Sequence, residues 1–383
     1  MKIMISSDLA HPYKGGGEHY VISVSKQFIK LGHEVHWLTS KIPNTSFEEN
    51  FEGINIHRVP IFFPSKYFFP GRQSYVLTSL APGIELAKKM DVVQTNTLVP
   101  AASGWIMGKY CGKPSVCFAH ELFGKLWKKI GHNPMEEFFY PFMEQIIGHM
   151  PYDAFACPSQ YSKLTLIRAG VPEDKITVIP HGIFLDRYSP QVSGVSLKRK
   201  LGLENKKTVS FLGRLRLSGT GQSKNLLMLL KAFQIVVKER PDARLVFGGS
   251  NFVELQNEIN KLKLQNFVVY KGSVSYEEEA EFLAMSDVVV CPALSDGFCF
   301  LLEQAASSGK PIVATNAGSH PERIDGKNGI LTDLTPESLA DGIVKALDDE
   351  FAKKASIAAR KHAENFTWEK SAKAHLKLYE SLM

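Results

Sequence analysis

Residues 288–322 read VVVCPALSDGFCFLLEQAASSGKPIVATNAGSHPE. The apolar run Val288-Val289-Val290 stops at Pro292, as a buried parallel strand does. A short loop, Ala293 to Gly297, leads into Phe298-Cys299-Phe300-Leu301-Leu302-Glu303-Gln304-Ala305-Ala306, whose apolar spacing suits a helix lying on a sheet. Gly309-Lys310-Pro311 ends that helix, and Ile312-Val313-Ala314 reads as the next strand. The stretch is therefore strand, loop, helix, strand. Its loop and helix start fall at the carboxyl edge of a parallel sheet, where open α/β folds bind ligands. A helix N-terminus there offers unpaired N–H groups and partial positive charge, which suit a diphosphate. Glu303, about one and a half turns into the helix, is placed for sugar or ribose hydroxyls.

The same alternation runs outward in both directions. Ile3–Ser6, His33–Thr39, Asn55–Val59, Asp91–Gln94, Ser115–Phe118, Ala154–Cys157 and Thr177–Ile179 read as strands, with helices over Glu18–Leu31 and near 75–89, 100–111 and 159–169. The pattern loosens through 183–206 and restarts with Thr208–Leu212, Arg244–Phe247 and Phe267–Tyr270, each followed by a helix. At 383 residues the chain exceeds what one core holds. The fold class is α/β, two Rossmann-like doubly wound parallel-sheet domains. The expected division is 1–185, 186–364 and a terminal segment 365–383.

Composition excludes several classes. A net charge of +6 is mild for this length and gives no basic stripe for nucleic acid. Five cysteines at 111, 117, 157, 291 and 299 show no C-x-x-C spacing, so they read as buried thiols in a reducing compartment, with no metal site. No signal-like leader opens the sequence and no run of about 18 apolar residues occurs. A cytoplasmic protein is expected.

Four further motifs lie at strand ends. Gly15-Gly16-Gly17-Glu18 follows the first strand, and glycines there let backbone amides approach a phosphate. It is not G-x-G-x-x-G, which argues against a dinucleotide-dependent dehydrogenase. Phe118-Ala119-His120-Glu121 ends another strand. Phe211-Leu212-Gly213-Arg214-Leu215 places a permanently charged guanidinium at a strand end, suited to a diphosphate. A polar loop then reaches Lys224-Asn225-Leu226; its G-T-G-Q-S-K string lacks the adjacent Gly-Lys-Ser/Thr of a P-loop. Asn316-Ala317-Gly318-Ser319-His320-Pro321-Glu322 turns after the last inner strand.

In this order, over nearly the whole chain, these motifs resemble the retaining glycosyltransferases of family four, the group 1 family with the GT-B fold. That family has two glutamates with seven residues between them, then E-A, G-x-P-V-V-A and a G-x-x-E turn. Glu303 matches the second glutamate. The first is either replaced by Ser295 or shifted to Asp296. The resemblance implies two halves facing across a cleft, with a C-terminal helix crossing back to the first. It implies sugar transfer, a hexosyl group being expected, from a nucleoside-diphosphate sugar to an acceptor hydroxyl with the anomeric configuration kept. The acceptor would be a glycan, a small molecule or lipid-linked; no cofactor beyond the sugar nucleotide is expected.

By position, Gly16 and Gly17 face the donor diphosphate and His120 contacts the donor sugar. Arg214, Lys224 and the helix start after Asp296 stabilise the leaving diphosphate without a metal ion. The backbone around Gly297, Phe298, Cys299 and Phe300 holds sugar hydroxyls, and Glu303 the ribose. Val274 lies where the base is read, and Glu322 lies beside sugar and phosphate. A sugar-nucleotide epimerase and a catalytically weakened sugar-nucleotide-binding scaffold remain as alternatives. The aromatic segments Ile61–Pro70 and Leu122–Ile130, and Phe138, Phe142, Ile146 and Met150 beyond an N-cap at Asn133, fit either core packing or a first-domain surface touching lipid at the inner membrane face.

Overall fold

A computed structural model describes residues 1–13, 15–62, 71–131 and 134–383. The Asn133 cap and the aromatic run beyond Phe62 lie outside the described residues. The chain divides into two compact units. The first comprises residues 1–124, 139–182 and 368–383, and the second 125–138 and 183–367.

The first unit holds eight strands: β1 Lys2–Ser6, β2 Glu34–Ser40, β3 Glu48–Phe51, β4 Ile54–Val59, β5 Val92–Asn96, β6 Ser115–Phe118, β7 Ala154–Cys157 and β8 Ile176–Val178. They form one sheet in the order β3-β4-β2-β1-β5-β6-β7-β8. All pairings are parallel except β3 against β4. The antiparallel β3, Glu-Glu-Asn-Phe, was not expected from the sequence, because it carries no apolar run. The helix Gly16–Lys30 follows β1 and buries Tyr20, Val21, Val24 and Phe28 at helical spacing. The terminal helix Trp368–Leu382 buries Trp368, Ala372, His375 and Tyr379 and packs against Gly16–Lys30.

The second unit holds β9 Lys207–Leu212, β10 Ala243–Gly248, β11 Val268–Gly272, β12 Val288–Cys291, β13 Ile312–Thr315 and β14 Gly329–Thr332. Their order is β11-β10-β9-β12-β13-β14, parallel throughout. The chain moves outward from β9 to β11 and then returns to β12 on the other side of β9. The switch point therefore lies between β9 and β12, whose carboxyl ends carry Arg214 and the Pro292–Gly297 loop. In the first unit the corresponding reversal lies between β1 and β5.

Two boundaries differ from the sequence expectation. Residues 125–138 group with the second unit, since the short helix Trp127–Ile130 packs on the turn Gly219–Lys224. The helix after β12 starts at Phe300 rather than Phe298, so Glu303 lies in its first turn. Leu122, Trp127 and Ile130 are buried, so the first aromatic helix is packing and not a lipid-facing surface. Phe138, Phe142 and Ile146 instead stand exposed along the helix Pro134–His149. Among the described residues no helix is long and apolar enough to cross a membrane.

Candidate functional site

In the second unit the loops after β9 and β10 are pressed together. Gly213 N–H donates to Gly248 O at 3.0 Å, and Leu215 N–H to Ser250 O at 2.8 Å. Gly249 sits at φ +136°, and a Cβ there would fall 1.8 Å from Gly213 O. Only glycine permits that approach. Arg214, next in sequence, is exposed. Val274 packs close to Gly248 from beyond β11.

The long loop that follows is organised by one acid. Glu254 accepts from Leu217 N–H at 2.7 Å and from the Ser218 hydroxyl at 3.0 Å. The segment Gly219–Lys224 closes as a 3₁₀ turn, and Leu294 N–H donates to Ser223 O at 2.8 Å. This ties the loop after β9 to the loop after β12. The insertion therefore does not displace Lys224: its Nζ lies 2.7 Å from Asp296 Oδ2. Asp296 is buried, which disfavours its charge, but Lys224 and then His320 outweigh burial and hold its carboxyl below the usual range. The carboxylate that meets Lys224 is thus on Asp296, while Ser295 beside it is buried.

The turn after β13 closes over this loop. Ser319 N–H donates to Asp296 O at 2.9 Å. Gly318 has φ +58°, and a Cβ there would meet Asp296 N at 2.4 Å and O at 2.6 Å. Gly297, Phe298 and Cys299 are buried beneath the turn, Phe300 is half-buried, and the Phe298 and Phe300 rings meet edge to face at 5.1 Å. Cys299 is pulled down to about 6 by a hydrogen bond from Cys291 and by His320. Burial pushes His320 down, but Cys299, Asp296 and the Thr315 carbonyl outweigh it and raise it.

Glu303 is 1% exposed. Its Oε1 lies 3.5 Å from Arg323 Nη1 and 3.8 Å from His362 Nε2, yet neither carboxylate oxygen has a hydrogen-bond partner among the described residues. The Arg323 guanidinium lies over the Phe298 and Phe366 rings, 4.8 and 4.2 Å from their centroids. Glu322, its neighbour, is exposed. Arg323 and His362 were not singled out from sequence; the signal for Arg323 was its place directly after the Pro-Glu turn.

The first unit assembles its own cluster. Gly16 and Gly17 open the helix Gly16–Lys30 without a side-chain cap. His120 follows β6, and a Cβ on Gly17 would lie 3.8 Å from its Nε2. That Nε2 is closed to solvent and has no partner among the described residues, while Nδ1 lies 3.4 Å from His181 Nε2. Tyr20 and Phe118 rings pack on His120 at 5.1 and 5.0 Å. Burial, then His375, pushes His120 down to about 4, so it is neutral at pH 7. Below it, His375 Nδ1–H donates to Ser371 O at 2.8 Å, and Tyr20 O–H donates to His375 Nε2 at 2.7 Å. Gln94 Nε2–H donates to that tyrosine oxygen at 3.1 Å. His181, His375 and Tyr20 escaped the sequence reading because they come from distant parts of the chain.

Comparison with known proteins fits both units. Residues 14–187 match the model described as Glycosyltransferase Family 4, and 196–363 the one described as Glycosyl transferases group 1. The chain belongs to the group 1 glycosyltransferases. Such an enzyme has the GT-B fold, which the two parallel sheets display. The chain is 26% identical to a D-inositol 3-phosphate glycosyltransferase of Corynebacterium diphtheriae, over 94% of its own length and 88% of the relative's. It is 27% identical to spore coat protein SA of Bacillus subtilis, over 96% and 95%. Among solved structures, sucrose-phosphate synthase of Thermosynechococcus elongatus aligns with a TM-score of 0.85 at 20% identity, covering 100% and 98% of the two chains. Anabaena HepE in complex with UDP-glucose aligns at 0.81 and 20%, covering both chains fully. These likenesses establish the shared fold of a glycosyltransferase.

Proposed function

We propose that this glycosyltransferase uses a nucleoside-diphosphate sugar and transfers the sugar with retention of anomeric configuration. The observation that carries the reading is the switch point of the second sheet. It presents exposed Arg214 after β9 and the Lys224–Asp296 pair after β12, beside the helix start at Phe300. Two cations and a helix N-terminus suit a leaving diphosphate, whose charge grows as the glycosidic bond breaks. Lys224 is held by Asp296, so its charge is placed before any ligand arrives. Glu303, buried with both oxygens unbonded, suits ribose hydroxyls, and Arg323 fixes its orientation. Within the first unit, neutral His120 suits a hydrogen bond to a sugar hydroxyl, and the Gly16 and Gly17 amides suit a phosphate. The departing phosphate takes the acceptor hydroxyl's proton as the acceptor attacks from the same face. No metal ion is required by this scheme. The UDP and UDP-glucose bound to Anabaena HepE support such a donor.

For the acceptor, the inositol phosphate named for several relatives makes a polyol phosphate the first class to try. The exposed Phe138, Phe142 and Ile146 stripe supports contact with a lipid surface, with these residues rather than Trp127 as anchors. Liposome co-sedimentation undiminished in Phe142→Ser would remove that element.

The test is turnover with a panel of nucleoside-diphosphate sugars and sugar or polyol-phosphate acceptors. Acceptor-dependent release of nucleoside diphosphate, reduced about 100-fold or more in Lys224→Ala, with an NMR-assigned product of unchanged configuration, is expected. Acceptor-independent conversion to an epimeric sugar would favour the epimerase. Nucleotide binding with no turnover would favour the scaffold.

A further inference from the structure

We propose that Asp296, Cys299 and His320 form a binding site for one thiophilic divalent cation, with Zn²⁺ the best-matched ion. In sequence these residues show no metal-binding spacing; folding of the turn after β13 over the loop after β12 brings them together. One carboxylate oxygen, the thiol sulfur and one imidazole nitrogen lie within 4.8 Å of one another, and all three residues are buried. Ligands about a tetrahedral zinc stand roughly 3.3–3.8 Å apart, so modest side-chain closure completes the triad.

His320 is oriented as a ligating imidazole is. Its Nδ1 lies 2.9 Å from the Thr315 carbonyl, a contact that needs the proton on Nδ1 and leaves Nε2 as the ring atom that can ligate a cation. Nε2 is buried and makes no hydrogen bond of normal geometry among the described residues. The donor set of imidazole nitrogen, thiolate sulfur and carboxylate oxygen is one that zinc takes and magnesium or calcium does not. Cys291, hydrogen-bonded to Cys299, stands next to the triad as a second thiol. The competing group is Lys224, 2.7 Å from Asp296 Oδ2, whose side chain is 35% exposed. A bound cation would take Asp296 from Lys224 and join the two loops. The inference stands on these residues alone, whether or not the donor reading holds.

The test uses the full chain, stripped with chelator and titrated with Co²⁺ alone. One equivalent should give a thiolate-to-cobalt absorption band in the near ultraviolet, which Zn²⁺ then abolishes. Cys299→Ser and His320→Gln should lose the band, and Cys111→Ser, in the first unit, should keep it. Zn²⁺ should also raise the unfolding temperature of the wild type and not that of His320→Gln. Where Cys299→Ser does not fold, Cys299→Ala serves in its place. Absence of a thiolate band in the wild type overturns the proposal, as does a band that survives in both ligand variants.

Discussion

Gly318 shows how much one residue can decide. At φ +58°, with Asp296 backbone atoms within 2.6 Å of where a Cβ would stand, alanine must either open the turn or move the donor loop. Gly318→Ala should lower unfolding free energy by about 2–4 kcal/mol, read by chemical denaturation, and weaken nucleotide binding in the fraction that folds. An unchanged denaturation midpoint would show that the turn is not held against Asp296. Glu303 makes a different case. Its carboxylate is buried beside the Arg323 guanidinium and the His362 imidazole without a hydrogen bond among the described residues, so its charge rather than its shape is at stake. Glu303→Gln should raise KM for the donor about tenfold or more and change kcat less. Equal loss in both would assign Glu303 to the transition state instead of the ribose. At this scale the sequence placed Arg214 at the end of a strand, where the structure has it, exposed after β9. It was ambiguous at Ser295 and Asp296, because side-chain count along a loop does not say which residue turns inward. In space Lys224 Nζ meets Asp296 Oδ2 at 2.7 Å, and the Gly318 turn packs on the Asp296 backbone.

Among the elements, the loop 216–224 is the one whose placement could not be read. Its length differs from the family pattern, and nothing local says where these nine residues go. The tertiary partner that fixes it, Glu254, lies on the helix Val253–Lys261, some 30 residues on in sequence. Glu254→Ala removes two hydrogen bonds to a charged acceptor, worth about 1.5–3 kcal/mol each. It should increase hydrogen exchange over 217–224 and weaken diphosphate binding several-fold, while the exchange of β9 and β10 stays protected. Unaltered exchange in the loop would mean that packing on Trp127–Ile130 holds it without Glu254. Strands and helices on either side were legible because parallel sheets bury continuous apolar runs. Edge strand β3 was not, since a polar four-residue strand has no periodicity to read.

For the whole molecule, the two-fold βα alternation was legible; the expected break lay near residue 185, and the compact units change at 182–183. What sequence could not show was which distant segments share a unit. Residues 125–138 join the second, and His375 comes to lie under the His120 cluster from the far end of the chain. Those burials carry a pH consequence. His120 and His375 are each pushed to about 4 by burial, against an ordinary 6.5. Between those values the unfolded chain binds protons that the folded one refuses, so stability rises with pH across that window. Stability should therefore be intact above about pH 7 and decline as pH falls from 6.5 toward 4, by about 3 kcal/mol from His375 alone. His375→Asn or His375→Gln should flatten this part of the profile in urea titrations; a profile as steep as the wild type's would locate the proton uptake elsewhere.

The central claim is that the second unit holds a nucleoside diphosphate through Arg214. Calorimetric titration of UDP, GDP, ADP and CDP into the wild type and into Arg214→Ala tests it most directly. One diphosphate should bind at micromolar level and lose at least about tenfold in affinity in the variant, or about 1.4 kcal/mol. Equal affinity in the two proteins would contradict the placement of the diphosphate at the β9–β12 switch point, and no binding by any of the four would contradict the donor site itself.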